Sequence, residues 1–597
     1  MVKSNLADRN SLDWRVSAIH VSPARWLLDY HLKRPKRFVY VMIVPILEIF
    51  LYLYPVTVTA DIISNVLQNS LDNLTQQLLF LLGFALFQAS VFYSINFLNE
   101  TLAHRVTTDI TEDLFIAVQE KSLRYHDTID IGQIMSRATG DTRTINKALS
   151  PGIVRTIQLF TIWILAFYIS TQINIILVMM TIVAFVLYLL SLYIYAKGRI
   201  EISRKVLQNY ANLTELSLRS VSGIREIKNF TAEEVTSGNF SALNDDHINS
   251  LIREGEANAW FYPALIATFY STAMIASSVY LTYLQVISFR QLLLVTGVIL
   301  FLRVFSSGLK WQSRMIIAAI AASRRVYNII HEEDPQEINH GSLSLENKRA
   351  SIEFDQVSFS YRPDLPLALE NISFKINENQ TIAIVGRPGS GKSTLTKLVQ
   401  RLYLPNSGKI LIGGESIEKY DRDQLRNFIA TVEQDIFLFN RSILDNIRFG
   451  KPEATEEEVI HIAKVAQAHD FIMALPDGYA TRVGEKGVRL SGGQQQRISI
   501  ARALLMDPSI LLMDDGASAL DAKTELEIQR AISEILQTRT TVITTHRLSI
   551  IAKADLILIL DDGQLVGKGS HEQLIRSNQY YRQLFEYHYE LPPMEVS

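Results

Sequence analysis

Gly386, Arg387, Pro388, Gly389, Ser390, Gly391, Lys392, Ser393 and Thr394 form one uninterrupted Gly-x-x-x-x-Gly-Lys-Ser run. Residues of these types at this spacing bind phosphate. Glycines let backbone N–H groups approach phosphate oxygens, and a helix that starts at the loop favours their negative charge. Lys392 would then reach the β/γ oxygens, and Ser393 offers a hydroxyl to magnesium. The apolar run Thr381 to Val385 precedes the loop and a helical pattern, Leu395 to Leu402, follows it. That is the strand–loop–helix context the motif needs. Downstream, Ile510-Leu-Leu-Met-Asp514 is an apolar strand ending in a carboxylate, placed to hold the same magnesium through water. The two stretches predict a nucleoside triphosphatase, or at least a nucleotide-binding domain, that uses Mg2+.

A third element stands about 20 residues ahead of Asp514: Leu490, Ser491, Gly492, Gly493 and Gln494. With it the sequence resembles the ATP-binding cassette (ABC) superfamily, and within it the exporters that carry a membrane domain ahead of the ATPase. The resemblance runs over essentially the whole chain and implies several roles. Tyr361 matches the aromatic residue that stacks on adenine, and Gln434 the glutamine that senses magnesium and contacts the membrane domain. Thr481 to Gly487 matches an exporter loop, Asp521 the D-loop aspartate and His546 the switch histidine. In this family two cassettes sandwich two ATP molecules, each held by the phosphate loop of one chain and the Leu-Ser-Gly-Gly-Gln of the other. Ser491 and the Gly492 and Gly493 amides would supply donors to the γ-phosphate across that interface. One cassette per chain therefore implies a dimer of half-transporters, with ATP binding closing it and hydrolysis releasing it.

One residue departs from the family pattern. The aspartate at the end of the second strand is usually followed by a glutamate that orients the attacking water, whereas here Asp515 follows Asp514. Its carboxylate is one methylene short, and a displacement of around 1 Å in a positioning-dependent step costs on the order of 100-fold. Asp514-Asp-Gly-Ala-Ser-Ala-Leu-Asp521 with Ala-Lys-Thr-Glu525 is similar to the weak-site subunits of heterodimeric exporters, which keep an intact signature for the partner. Against that, His546 is retained, as it is in some but not all such subunits. A heterodimer is the favoured expectation and a slow homodimer the alternative.

These residues need a positioning framework, and the chain supplies it in two unlike halves. The second half, 351–588, alternates short apolar strands with helical segments, the rhythm of an α/β domain. The first half holds six apolar stretches of roughly 20 residues, each long enough to cross a bilayer: Phe38 to Ala60, Leu78 to Leu98, Thr156 to Ile173, Asn174 to Ala196, Ala257 to Leu284 and Gln291 to Leu309. Lys33, Arg34, Lys36 and Arg37 precede the first span, while Asp61 to Gln77 has no basic residue. By the positive-inside rule both termini lie in the cytoplasm, with the cassette. The polar connections Asn99 to Arg155 and Lys197 to Glu256 read as helical extensions into the cytoplasm. Their interruptions at Gln119 to Asp127 and Arg219 to Asn229 are the expected contact points with the cassette. The fold class is thus an α-helical membrane domain of six transmembrane helices with long cytoplasmic extensions, fused to an α/β P-loop cassette. The expected domains are a lead-in with an amphipathic elbow helix (1–37), the membrane domain (38–330), a linker (331–350), the cassette (351–588) and a tail (589–597). In the elbow, Trp26 and Tyr30 are expected at headgroup depth, with the basic residues toward anionic lipid.

A net charge of −3 gives no reason to expect a nucleic-acid partner, and the absence of cysteine excludes disulfides and thiol chemistry. The expected partners are a second half-transporter, membrane lipid and a small hydrophobic or amphipathic substrate, at the plasma membrane. Six spans argue against a cassette protein that acts on DNA or ribosomes, and an ATP-gated regulator or channel is the remaining alternative. Glu48 and Arg303, charged residues inside spans, are candidates for the pathway; the alternative is Glu48 paired within the bundle and Arg303 snorkelling near the cytoplasmic edge. Tyr40, Tyr52, Tyr54, Phe261, Tyr262, Phe269 and Tyr270 would suit amphipathic drugs or lipids, or serve as interfacial belts and packing.

Overall fold

The computed structural model describes residues 22–32, 35–67, 74–259, 262–332, 341–345, 350–484, 487, 490–514, 539–545 and 547–585. The chain divides into two compact units: Met1–Gln119 with Ile131–Glu332, and Glu120–Asp130 with Glu333–Ser597.

Among the described residues every regular element of the first unit is a helix. The unit comprises α1 (Pro23–Leu32), α2 (Pro35–Leu67) and α3 (Leu74–Glu120). A broken helix follows, made of α5 (Ile131–Ser136), α6 (Thr142–Lys147) and α7 (Val154–Ile173). Then come α8 (Ile175–Ser222), α9 (Ile224–Asn229), α10 (Glu233–Ala259), α11 (Tyr262–Tyr283) and α12 (Phe289–His331). The short α4 (Leu123–Thr128) lies in the break between α3 and α5 and belongs to the second unit. Among the described residues six helices are long and apolar enough to cross a membrane, in the order expected. The chain is therefore a multi-pass membrane protein. Several run far beyond a bilayer thickness: α3 has 47 residues and α8 has 48. The hairpin between α7 and α8 turns on Asn174 alone. That residue is extended (φ −160°, ψ 140°), and its side-chain oxygen accepts from the Ile176 N–H at 2.9 Å, so it ends one helix and caps the next.

Inside the bundle, buried apolar residues of α2, α7, α8, α11 and α12 form one core. Some polar atoms there pair across helices. Thr181 Oγ1 lies 2.8 Å from Tyr270 Oη, and the Tyr270 ring stacks on Trp163 with centroids 5.4 Å apart. Tyr270 thus packs in the core, and it also lines a cavity with Met179, Leu187 and Phe269. Glu48 is buried as well, and its Oε2 accepts from Gln158 Nε2 at 2.5 Å. Its charge is engaged within the bundle, whereas Arg303 is exposed. Phe261 lies outside the described residues.

The elbow corrects an expectation. Trp26 and Tyr30 are not turned outward toward lipid; both are buried within the chain. Trp26 packs edge-on against Tyr327 of α12 at 5.7 Å, and Tyr30 Oη donates to Asp113 of α3 at 2.6 Å. A hydroxyl needing a carboxylate partner, and a helix face ready to cover the indole, outweigh the interface preference of these residues. Leu28 and Leu32 are the exposed apolar residues of α1.

The second unit holds two sheets. A four-stranded antiparallel sheet runs in the order β2 (Leu369–Ile376), β1 (Ile352–Phe359), β4 (Ser407–Ile412), β5 (Glu415–Ser416). A six-stranded sheet has the order β10 (Gln564–Gly569), β9 (Leu556–Asp561), β3 (Thr381–Val385), β8 (Thr540–Thr544), β7 (Ile510–Asp514), β6 (Ile429–Val432). Its strands from β9 to β6 are parallel and only β10 is antiparallel. Parallel strands covered on both faces read as continuous apolar runs, and β3 is buried at all five positions.

Alternate residues of one strand enter different cores, because a strand's side chains point to opposite faces. Ile510 and Leu512 of β7 join a core with the antiparallel sheet and α13 (Lys392–Val399). Leu511 and Met513 join a second core with α14 (Ile443–Arg448), α15 (Glu456–Val465) and α16 (Gly492–Leu505).

Candidate nucleotide-binding site

Register places the two phosphate-site strands side by side at their C-terminal ends. Asp514 pairs with Thr544 on β8, and Ile384 of β3 pairs with the same Thr544, so Asp514 lies level with the end of β3. In an open parallel sheet this is the edge where ligands bind. Gly386 leaves β3 at φ +157°, and a Cβ there would run into the Leu560 carbonyl oxygen. Gly391, at φ +101°, caps α13, and a Cβ there would meet the Ala368 oxygen and Leu369 Cδ2, each at 2.7 Å. Neither position accepts a side chain, which is why the loop needs glycine at both ends. Lys392 is the first residue of α13, and its Nζ donates to the carbonyls of Gly386 (2.9 Å) and Arg387 (2.8 Å). Burial draws its pKa below the usual lysine value, opposed by the charge of Asp514. Ser390 is buried at 3% exposure with its hydroxyl unpartnered, a polar atom in want of a ligand.

Asp514 is held by a hydroxyl that the sequence did not single out: Thr544 Oγ1 donates to its Oδ1. Threonine in an apolar strand reads as an ordinary β-former, so nothing in the pattern distinguished it. Gln434 follows β6, exposed, two residues past Val432, which pairs with Met513 beside Asp514. Tyr361 is half-buried beside the loop. Its hydroxyl lies 3.0 Å from Thr394 Oγ1 on α13, and its ring meets Phe359 and Tyr403 edge-on at 5.0 and 5.2 Å.

The signature stands apart from this cluster. Ser491 caps α16: its Oγ accepts from the Gln494 N–H at 3.3 Å, and Gln494 Oε1 accepts from the Ser491 N–H at 3.0 Å. Because Ser491 Oγ accepts in the cap, its proton stays available to donate. The amides of Gly492 and Gly493 open the helix and are among those a helix leaves unpaired. Gln495 Nε2 ties the approach down by donating to Gly487 O (2.9 Å) and Leu490 O (3.2 Å). Helix α16 packs in the core that Leu511 and Met513 enter, and α13 in the one that Leu512 enters. Phosphate loop and signature are thus mounted on opposite faces of one sheet.

Residues 38–309 match the family model of the ABC transporter transmembrane region, and 369–518 that of the ABC transporter. YgaD of Bacillus subtilis, provisionally named a multidrug export ATP-binding/permease protein, is 34% identical over 84% of this chain and 87% of its own. The chain belongs to the ABC transporter family. A relative of the same provisional name from Staphylococcus aureus is 32% identical over 86% of this ABC transporter and 90% of its own chain. A solved bacterial Atm1-family ABC exporter with ATP bound is 27% identical, with a TM-score of 0.81 over 94% of this chain and 99% of that one.

ATP fits the residues this ABC transporter presents: a glycine cradle that a Cβ would fill, an orphaned buried hydroxyl and a lysine beside them. The donor set also suits magnesium, which binds through one or two carboxylates, hydroxyls and substrate phosphates. Ser393 and Asp514 are such donors, and among the described residues no cluster of three His, Cys, Asp or Glu competes for the ion. Asp515, Asp521 and His546 lie outside the described residues.

Two further residues connect the site to α4. Leu123 of α4 packs on the core around α13, and Tyr403 Oη donates to Asp127 Oδ2. Burial, then the Asp127 carboxylate, raises the Tyr403 pKa, so the phenol stays protonated and donating. Asp127, Tyr403, Tyr361 and Thr394 therefore form an unbroken line from α4 to the phosphate loop. Tyr403→Phe keeps the ring packing and removes one hydrogen bond, worth about 1–2 kcal/mol here. Amide hydrogen exchange across Leu123–Thr128 is expected to speed up by about tenfold, while exchange in β3 stays unchanged.

Proposed function

We propose that this chain is one half of an ATP-driven exporter of hydrophobic or amphipathic compounds, working by alternating access in the plasma membrane. Its cassette and both termini face the cytoplasm, where Lys33, Arg34, Lys36 and Arg37 precede the first span. The observation that carries the reading is the division of the ATP site. Phosphate loop and signature are helix starts on opposite faces of one sheet, each half a site, so a complete site takes two cassettes. Lys392 and the loop amides bind the phosphates, while Ser393 and Asp514, oriented by Thr544, hold Mg2+ with Gln434 beside them. Tyr361 takes the adenine face. Asp515 orients the attacking water with His546, and Ser491, Gly492 and Gly493 complete the partner's site, with Gln494 fixing the cap and Asp521 linking the halves. The partner is a second, different half-transporter whose own catalytic carboxylate is the stronger. Export is supported by what the relatives' names say of them, and by the fusion of membrane domain and cassette in one chain.

The test is uptake of a fluorescent amphipathic dye into inside-out vesicles that contain this chain and its partner. ATP is expected to drive accumulation above the external concentration, and loss of the phosphate-loop lysine from both chains (Lys392→Ala in this one) to abolish it. ATP-dependent flux that stops at equal concentrations would make the protein a gated channel instead.

A further inference from the structure

A cavity of about 680 Å³ opens in the membrane unit where α3, α6 and α12 meet, just past the apolar run Leu78–Leu98. That volume is in the range of small-molecule sites. Its charges are unbalanced. The one acid lining it, Glu100, is already engaged: Ser150 Oγ donates to its Oε2 at 2.9 Å, and His104 Nε2 lies 3.3 Å from its Oε1. The other His104 nitrogen lies 3.4 Å from Nδ2 of the buried Asn146, which fixes the imidazole between the two. Arg143 and Lys147 stand one turn apart on α6 and line the same cavity. Neither has a carboxylate within ion-pair reach among the described residues. The opposite wall is apolar and comes from α12: Trp311, 53% exposed despite its size, with Met315 beside it.

We propose that this cavity is a binding site for an amphipathic organic anion. The acidic head, a carboxylate or phosphate monoester, sits between Arg143 and Lys147, and the apolar body lies on Trp311. Arg143 and Lys147 are exposed cations one turn apart with no counter-charge of their own, and an anionic head gives both a partner. The lining keeps a net positive charge, two cations against the one carboxylate that Ser150 and His104 hold. A flat indole that α12 leaves uncovered gives an alkyl or aromatic body a surface to leave water on. A cationic amphiphile would meet two like charges and no free acid. Calling the occupant a transported substrate rests on the export reading; its binding does not.

Quenching of Trp311 tests this. The full chain in zwitterionic nanodiscs is titrated with bromine-tailed dodecyl amphiphiles that differ only in the head: carboxylate, phosphate, alcohol or trimethylammonium. Saturable quenching by the two anions, at about tenfold or more lower concentration than by the others, is expected. It should vanish in Trp311→Phe. Arg143→Gln with Lys147→Gln should remove the preference among heads in protein that still elutes as a single species. Equal quenching by all four heads would overturn the proposal, as would an unchanged preference in that double variant or in Trp311→Phe. Repeating the titration in phosphatidylglycerol discs separates two sources of the same chemistry. Undiminished binding marks a free amphiphile as the ligand, and competition marks an anionic lipid. Since no nucleotide is added, failure here leaves the export reading standing, and failure of dye accumulation leaves this site standing.

Discussion

Purified alone in lipid nanodiscs, the chain is expected to hydrolyse ATP at a rate near that of Lys392→Ala, and Asp515→Glu to raise it by about 100-fold. Hydrolysis needs a water held in line with the γ-phosphate. The group that holds it must reach past Asp514, which the sheet fixes level with the end of β3. From the adjoining position aspartate stops about 1 Å short of where glutamate ends, and a positioning error of that size costs about two orders of magnitude. The expected gain from one added methylene is therefore geometric. Robust turnover by the unmodified chain would sink the heterodimer reading and make Asp515 a sufficient water-orienting group. Turnover near background that a co-expressed partner restores would support it.

Ser491→Asp in the assembled dimer is expected to lower ATP turnover by at least about 100-fold without loosening the cassette. The substitution separates two duties of one side chain. Aspartate caps a helix as well as serine does, so the Gln494 N–H keeps its acceptor and α16 keeps its start. What changes is the face turned to the partner. A hydroxyl that could donate to a γ-phosphate becomes a carboxylate that repels it, and losing one oriented donor typically costs 10²–10³ in rate, about 2.7–4 kcal/mol. Ser491→Ala is the less clean variant, because it also removes the cap, at about 1 kcal/mol. Photolabelling of this chain with an azido-ATP should be unaffected, since its own phosphate loop sits on the other face of the sheet. Turnover unchanged in Ser491→Asp would show that this signature does not contribute to the site that hydrolyses.

Much of this architecture was legible before any coordinates. Six apolar stretches declare themselves by length, because a bilayer sets a minimum that few soluble helices meet. The glycine spacing from Gly386 to Gly391 declares a loop whose backbone must do what other residues cannot. Less visible were contacts between residues remote in sequence. Asp127 and Tyr403 are 276 positions apart, and each alone is an unremarkable surface acid or core aromatic. Thr544 was hidden because its hydroxyl matters only once β8 lies between β3 and β7. Trp26 and Tyr30 were misplaced for a related reason. Their composition suits a membrane surface, and only the approach of α12 and α3 gives the indole a cover and the phenol an acceptor. Glu48 was ambiguous between pathway and pairing, and Gln158 engages it within the bundle.

The alternation of β7, with Leu512 in one core and Leu511 and Met513 in the other, carries a genetic consequence. Because the phosphate loop and the signature draw on different cores, a substitution that ruins one need not disturb the folding of the other. After a gene duplication, the two halves of the ATP site in a chain like this one answer to different selection. One is kept by what it does for its own nucleotide, the other by what it does for a sister protein's. A copy could thus shed catalytic strength at Asp515 while Leu490 to Gln494 stayed under full constraint. A lesion in this chain's phosphate loop and one in its partner's signature would then strike the same composite site, and together cost no more than either alone.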